Sequence, residues 1–100
     1  YDDLLLPRVL KGDSEAQNAF IASFMAPFRQ VRNGDVLLQT LLAYAGNGFH
    51  LRQTAKALHI HPKSLHYRLE RAAEILSIDL NDPDTRFQIQ LARRILDLHG

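Results

Sequence analysis

Cysteine is absent from the 100 residues, so no disulfide framework, thiolate metal site or thiol nucleophile can be built. That absence fits a reducing cytoplasm. No apolar run approaches the roughly 18 to 20 residues that a membrane-spanning helix needs, which excludes such a helix. The chain opens Tyr1-Asp2-Asp3, with neither an initiator Met nor the basic-then-apolar pattern of a secretion signal. It is expected to be a fragment of a longer cytoplasmic protein. A glycine-rich phosphate loop and a nucleophile–base pairing are both lacking, and a small helical bundle seldom offers the concave pocket that catalysis needs. An enzyme is therefore not expected, and no cofactor is implied. Convincing β alternation and internal repeats are missing too.

What is present is an ordinary apolar share, 46%, in a length that suits one domain with one modest core. The net charge of +1 hides an uneven distribution. Residues 1 to 49 carry four basic and five acidic side chains, and residues 72 to 100 carry three and five. Between them, residues 50 to 71 hold five basic side chains against Glu70 alone, with four of the five histidines. A neutral chain with one cationic segment suggests a localised face for a polyanion. A solvated helix surface gives the same charge pattern.

Apolar positions recur at helical spacing between regularly placed helix breakers. Asp2 to Lys11 is a short helix candidate. Ser14-Glu15-Ala16-Gln17 has the form of a capping box, opening a helix with Phe20, Phe24 and Phe28 on one stripe. Pro27 should kink or end that helix. Arg32-Asn33-Gly34 reads as a turn with Asp35 as the next N-cap. Val36 to Ala45 is apolar on nearly every side, which marks the buried centre of a bundle. The last helix starts at Asp82-Pro83, with Phe87, Leu91, Ile95 and Leu98 expected as its buried stripe. The expected fold is all-α, a small bundle of about five to six helices. Residues 1–34 would form N-terminal helices acting as a linker, brace or dimer interface, and residues 35–100 a helix-turn-helix domain, together one compact unit.

Residues 51 to 69 carry the functional signal. Two helices crossing steeply need a small residue at their contact, and Ala55 supplies it. Leu58 and Ile60 flank the turn, and Leu65, Leu69, Ala72 and Leu76 form the inner stripe of the second helix. Pro62 suits its first position, where a missing N–H costs nothing. With that stripe inside, His61, Lys63, His66 and Tyr67 are the candidate contacts to DNA bases, because recognition helices use mainly their N-terminal residues. Arg52, Ser64, Arg68 and Arg71 are the candidate phosphate contacts. Plainer roles compete: Tyr67 lying across the surface, and Arg68 and Arg71 pairing with Glu74 or other acids. His59, His61 and His66 are close in sequence, yet His61 to His66 is i, i+5 rather than the i, i+4 of a helical metal pair. No nearby carboxylate or cysteine completes a set, so no metal site is expected.

The stretch from about Leu37 to Leu98 resembles the C-terminal helix-turn-helix domain of PucR/CdaR-type regulators, which control purine-catabolism and sugar-diacid genes. The residues that carry the likeness are Leu38-Gln39-Thr40-Leu41-Leu42-Ala43-Tyr44, Thr54-Ala55-Lys56-Ala57-Leu58, Ser64-Leu65-His66-Tyr67-Arg68-Leu69 and Ile78-Asp79-Leu80-Asn81-Asp82-Pro83, followed by Arg86-Phe87-Gln88-Ile89-Gln90-Leu91-Ala92. The helix-turn-helix part is also similar to the Fis-type domain, which recognises DNA as a dimer. The resemblance implies a bacterial DNA-binding output domain, a double-stranded DNA partner, a homodimer, and an upstream effector-sensing domain on the same polypeptide. Pro62 and His66 stand where such families often place Arg, and His59 and Ser77 where they often place Gly. A helical protein–protein interaction module that has lost DNA contact is the alternative.

Overall fold

The computed structural model of the chain describes residues 12–99. Within that span five helices follow one another: α1 (Ser14–Arg29), α2 (Gly34–Gly46), α3 (Leu51–Leu58), α4 (Pro62–Leu76) and α5 (Pro83–His99), with no strand among the described residues. The fold is all-α, as expected. The candidate helix from Asp2 to Lys11 lies outside the described residues.

α1 begins one residue earlier than the capping box implies. Asp13 is the N-cap, its carboxylate accepting from the Ala16 N–H at 3.0 Å, while Ser14 is already helical. Asp is as strong a cap as Ser, and the Gln17 N–H is already bonded to the Asp13 carbonyl at 2.9 Å, which leaves Ser14 no capping role. The helix runs through Pro27 and stops two residues later at Arg29. Phe20, Phe24 and Phe28 are buried within the chain and so form core rather than exposed surface.

Asn33, in the left-handed conformation at φ 62°, marks the entry to α2 without a side-chain cap. Asp35 is therefore not the N-cap; it lies in the first turn, where a carboxylate still suits the positive end of the helix dipole. Gly34 is required by close approach, since a Cβ there would land on the Phe28 carbonyl. α2 packs against every other described helix and buries Leu37, Leu38, Thr40, Leu41 and Ala45. It is the centre of the bundle, although Val36 at its start is 45% exposed.

Three helix ends share one device. The Phe49 N–H bonds the Tyr44 carbonyl at 2.9 Å, Ile60 bonds Ala55 at 3.0 Å, and Ile78 bonds Ala73 at 3.0 Å. Each bond spans a residue with positive φ: Gly48 (66°), His59 (57°) and Ser77 (55°). These are Schellman closures, which normally place Gly at that position. His59 and Ser77 adopt the conformation without being glycine.

α5 starts as its sequence announces, with the Asp82 carboxylate accepting from the Asp84 N–H at 3.0 Å. Its inward face matches the expected one only in part, at Ile95 and at the half-buried Leu91. Ile89, Ala92 and Ile95 are buried, whereas Phe87 is 48% and Leu98 78% exposed. The helix carries two apolar stripes, and the one that includes Ile89 and Ala92 meets α1 and α2. The Gln90 side chain fixes this rotation by donating to the Ala45 carbonyl at 2.7 Å. Arg86 supports it from the loop side, donating to the Leu80 carbonyl at 2.7 Å with its guanidinium 4.8 Å from the Phe49 ring centroid.

Candidate nucleic-acid interface

α3 and α4 meet through the residues that the pattern requires. Ala55 is buried at the contact, and Leu58 and Ile60 pack partly buried against the core on either side of the turn. Thr54 is fully buried; its hydroxyl donates to the His50 carbonyl at 2.8 Å, which satisfies the one polar group at the crossing. Sequence reasoning assigned Thr54 no structural role, because a threonine hydroxyl bonded four residues back looks the same as a solvated one in the sequence. Leu65, Leu69 and Ala72 hold α4 against α2 and α3, Leu65 having no exposed surface.

The start of α4 is built by His61. Its Nδ1 accepts from the Lys63 N–H at 3.0 Å, so the imidazole acts as the N-cap side chain. An accepting Nδ1 carries no proton, and Nε2 is then the N–H donor. The cap leaves that donor on the solvent side, at the tip of the helix, where His61 is exposed.

Burying Leu65, Leu69 and Ala72 fixes what α4 shows outward. Lys63, Tyr67, Glu70 and Glu74 follow one another at i, i+4, i+7 and i+11, a single stripe opposite the core, and all four are exposed. The stripe is cationic and aromatic in its first half and acidic in its second. A polyanion is therefore favoured only along the N-terminal two turns of the helix.

Four of the assigned residues come together there. Lys63, Ser64, Tyr67 and Arg68 line one open cleft with Asn33, Val36 and Leu37 from the start of α2. Tyr67 is 63% exposed. Asn33 and Val36 were not candidates, since nothing local marks them and only the packing of α2 on α4 brings them to the site. The other four lie elsewhere. His66 turns to the opposite flank, into a groove shared with Tyr44, Leu51, Asp79 and Asn81, where its Nε2 is 2.7 Å from Glu70. Arg71 is paired with Glu74 at 3.1 Å. Arg52 is exposed at the start of α3, and His61 stands at the tip of α4. Among the described residues no group of three or more His, Asp or Glu side chains is placed to hold a metal ion, and no helix is long and apolar enough to cross a membrane.

The comparisons with known proteins agree with this geometry. The family model of the PucR C-terminal helix-turn-helix domain matches residues 37–95. The chain is 34% identical over 98 residues to the carbohydrate diacid regulator of Escherichia coli (strain K12), covering 95% of this chain and 25% of that protein. It is 39% identical over 59 residues to the purine catabolism regulatory protein of Bacillus subtilis (strain 168), covering 59% of this chain and 11% of that one. Among solved structures, the regulator of polyketide synthase expression from Bifidobacterium adolescentis matches with a TM-score of 0.76 at 31% identity, over 100% of this chain and 39% of that chain. The chain thus spans a quarter or less of the length of these two curated relatives. With the family model covering residues 37–95 and the helix-turn-helix in place, the chain belongs to the PucR C-terminal helix-turn-helix domain family.

Proposed function

We propose that this chain is the DNA-binding output domain of a bacterial transcriptional regulator, and that it lays the N-terminal half of α4 in the major groove of double-stranded DNA. The observation that carries the reading is the sorting of α4, with Leu65, Leu69 and Ala72 inside and Lys63, Ser64 and Tyr67 outside beside Arg68. Lys63 and Tyr67 point along the stripe that would face base edges, with His61 Nε2 as a donor at the tip. His66 joins them as a base contact only after leaving Glu70. Ser64 and Arg68 sit on the flank toward α2 and are assigned to one phosphate strand, with Arg52 on α3 and Arg71 as further phosphate contacts. Arg71 must first leave Glu74, which makes its net contribution smaller than that of Arg68.

Residues 35–100 form the helix-turn-helix part in this reading, and α1 braces it through Phe20, Phe24 and Phe28. In a homodimer, two such helices would read half-sites about 34–36 Å apart. The greater length of the named relatives supports an effector-sensing region elsewhere on a longer polypeptide.

Salt-titrated fluorescence anisotropy with duplex DNA tests the proposal. Each phosphate contact removed should lower the slope of log K against log salt by about 0.9. Arg68→Ala should weaken binding to all sequences alike and reduce the slope, while Lys63→Ala should change which sequence is preferred. Binding unaffected by both substitutions would leave α4 as part of a protein–protein module.

A further inference from the structure

The outward face of α5 has an order that the fold uses only at Leu91, which packs partly buried against the core. Asp84, Phe87, Leu91, Arg94 and Leu98 recur at spacings of three, four, three and four residues, the a/d rhythm of a helix seam. The same helix buries Ile89, Ala92 and Ile95, and Ile95 borders the seam beside Leu91. Phe87 and Leu98 are exposed, Leu91 is half-buried, and Asp84 and Arg94 are exposed without a side-chain hydrogen bond or ion pair among the described residues.

We infer that this seam is the contact between two copies of the chain, with α5 packed antiparallel on its counterpart. The argument is self-complementarity, which a two-fold interface requires because the same patch must serve both partners. The four residues Asp84, Phe87, Leu91 and Arg94 are spaced three, four, three, a pattern that reads the same in both directions. Their ends carry opposite charges and their centre is apolar. Turned antiparallel, Asp84 of each copy meets Arg94 of the other, and Phe87 of each meets Leu91 of the other. A parallel pairing would set like charge on like charge at both ends. No seam residue belongs to the DNA-facing set, so the dimer leaves both candidate DNA surfaces open. This inference stands apart from the DNA reading, and either can fail alone.

α5 has 17 residues and is therefore about 25 Å long. One helix pair of that length buries less than the roughly 1,200 Å² at the lower end of stable interfaces. A weak dimer follows, with its ion pairs sensitive to salt.

Sedimentation equilibrium of the 100-residue chain without DNA tests it, with circular dichroism to confirm that each variant is folded. The chain should move from monomer to dimer between about ten micromolar and one millimolar. Asp84→Arg and Arg94→Asp should each weaken the dimer at least tenfold, and the double exchange should restore it to within about threefold. Helix-dipole effects predict the opposite for the double variant, since they only add. Phe87→Ser should abolish the dimer without disturbing the core. A chain that remains monomeric at one millimolar overturns the inference and leaves the face to a domain of a longer polypeptide. A dimer indifferent to the single charge reversals, or one the double exchange fails to rescue, overturns it as well.

Discussion

Replacing His59 with glycine should stabilise this domain, although it deletes a whole side chain. His59 holds φ 57° and ψ 42° so that the Ile60 N–H can reach the Ala55 carbonyl and close α3. A residue with a Cβ pays roughly 1–2 kcal/mol in that conformation. Glycine escapes the cost but returns about 0.4–1 kcal/mol through the greater freedom of its unfolded chain. The imidazole is exposed and makes no hydrogen bond among the described residues, so little else is lost. The balance is a gain of about 0.5–1 kcal/mol, or roughly 2 to 8 °C in Tm for a domain of this size. Urea unfolding followed by circular dichroism measures it as a rise in midpoint at constant slope. Gly48→Ala is the reverse control: it places a Cβ at φ +66° and 3.3 Å from the His50 ring, and should lower stability by a comparable amount. A midpoint for His59→Gly equal to or below that of the parent chain would refute the reasoning, because it would mean that the left-handed turn costs histidine nothing here.

Leu65, with no exposed surface, anchors the second helix, and Leu65→Ala should cost about 3 kcal/mol in the same unfolding measurement. The capping role of His61 predicts that His61→Ala loses about 0.5–1 kcal/mol while His61→Ser, whose hydroxyl can accept from the same Lys63 N–H, loses much less. Thermal melts of the pair would show whether the side chain matters as an acceptor or only as bulk.

Several features of this molecule were legible in its sequence for clear physical reasons. Pro62 and the pair Asp82-Pro83 mark helix starts because proline's missing N–H costs nothing at the first helical position, and the spacing of Leu65, Leu69 and Ala72 leaves one choice of inner face. The positive φ of His59 follows from its place in a turn that commonly holds glycine. Other features depend on competition that a one-dimensional pattern does not resolve. Asp13 and Ser14 are both good caps, and the earlier one prevails. α5 offers two apolar stripes of similar strength, and the choice between them is made by α1, α2 and the bond from Gln90 to Ala45. Lys63 and His66, three residues apart, look like neighbours on one face. Glu70 and the groove beside Asp79 draw His66 to the far flank. Val36 reads as core by composition, yet its place before the first buried turn of α2 leaves it at the cleft with Tyr67.

The central claim is that the N-terminal half of α4 meets DNA, and amide chemical-shift mapping of this 11.4 kDa chain tests it most directly. A duplex selected for tight binding would be titrated into the labelled protein. The largest shifts should cluster at His61 to Arg68 with a second group at Arg52 and Asn33, and the acidic end of α4 around Glu74 should move little. Shifts centred on α1 or α5 with the start of α4 unmoved would contradict the account.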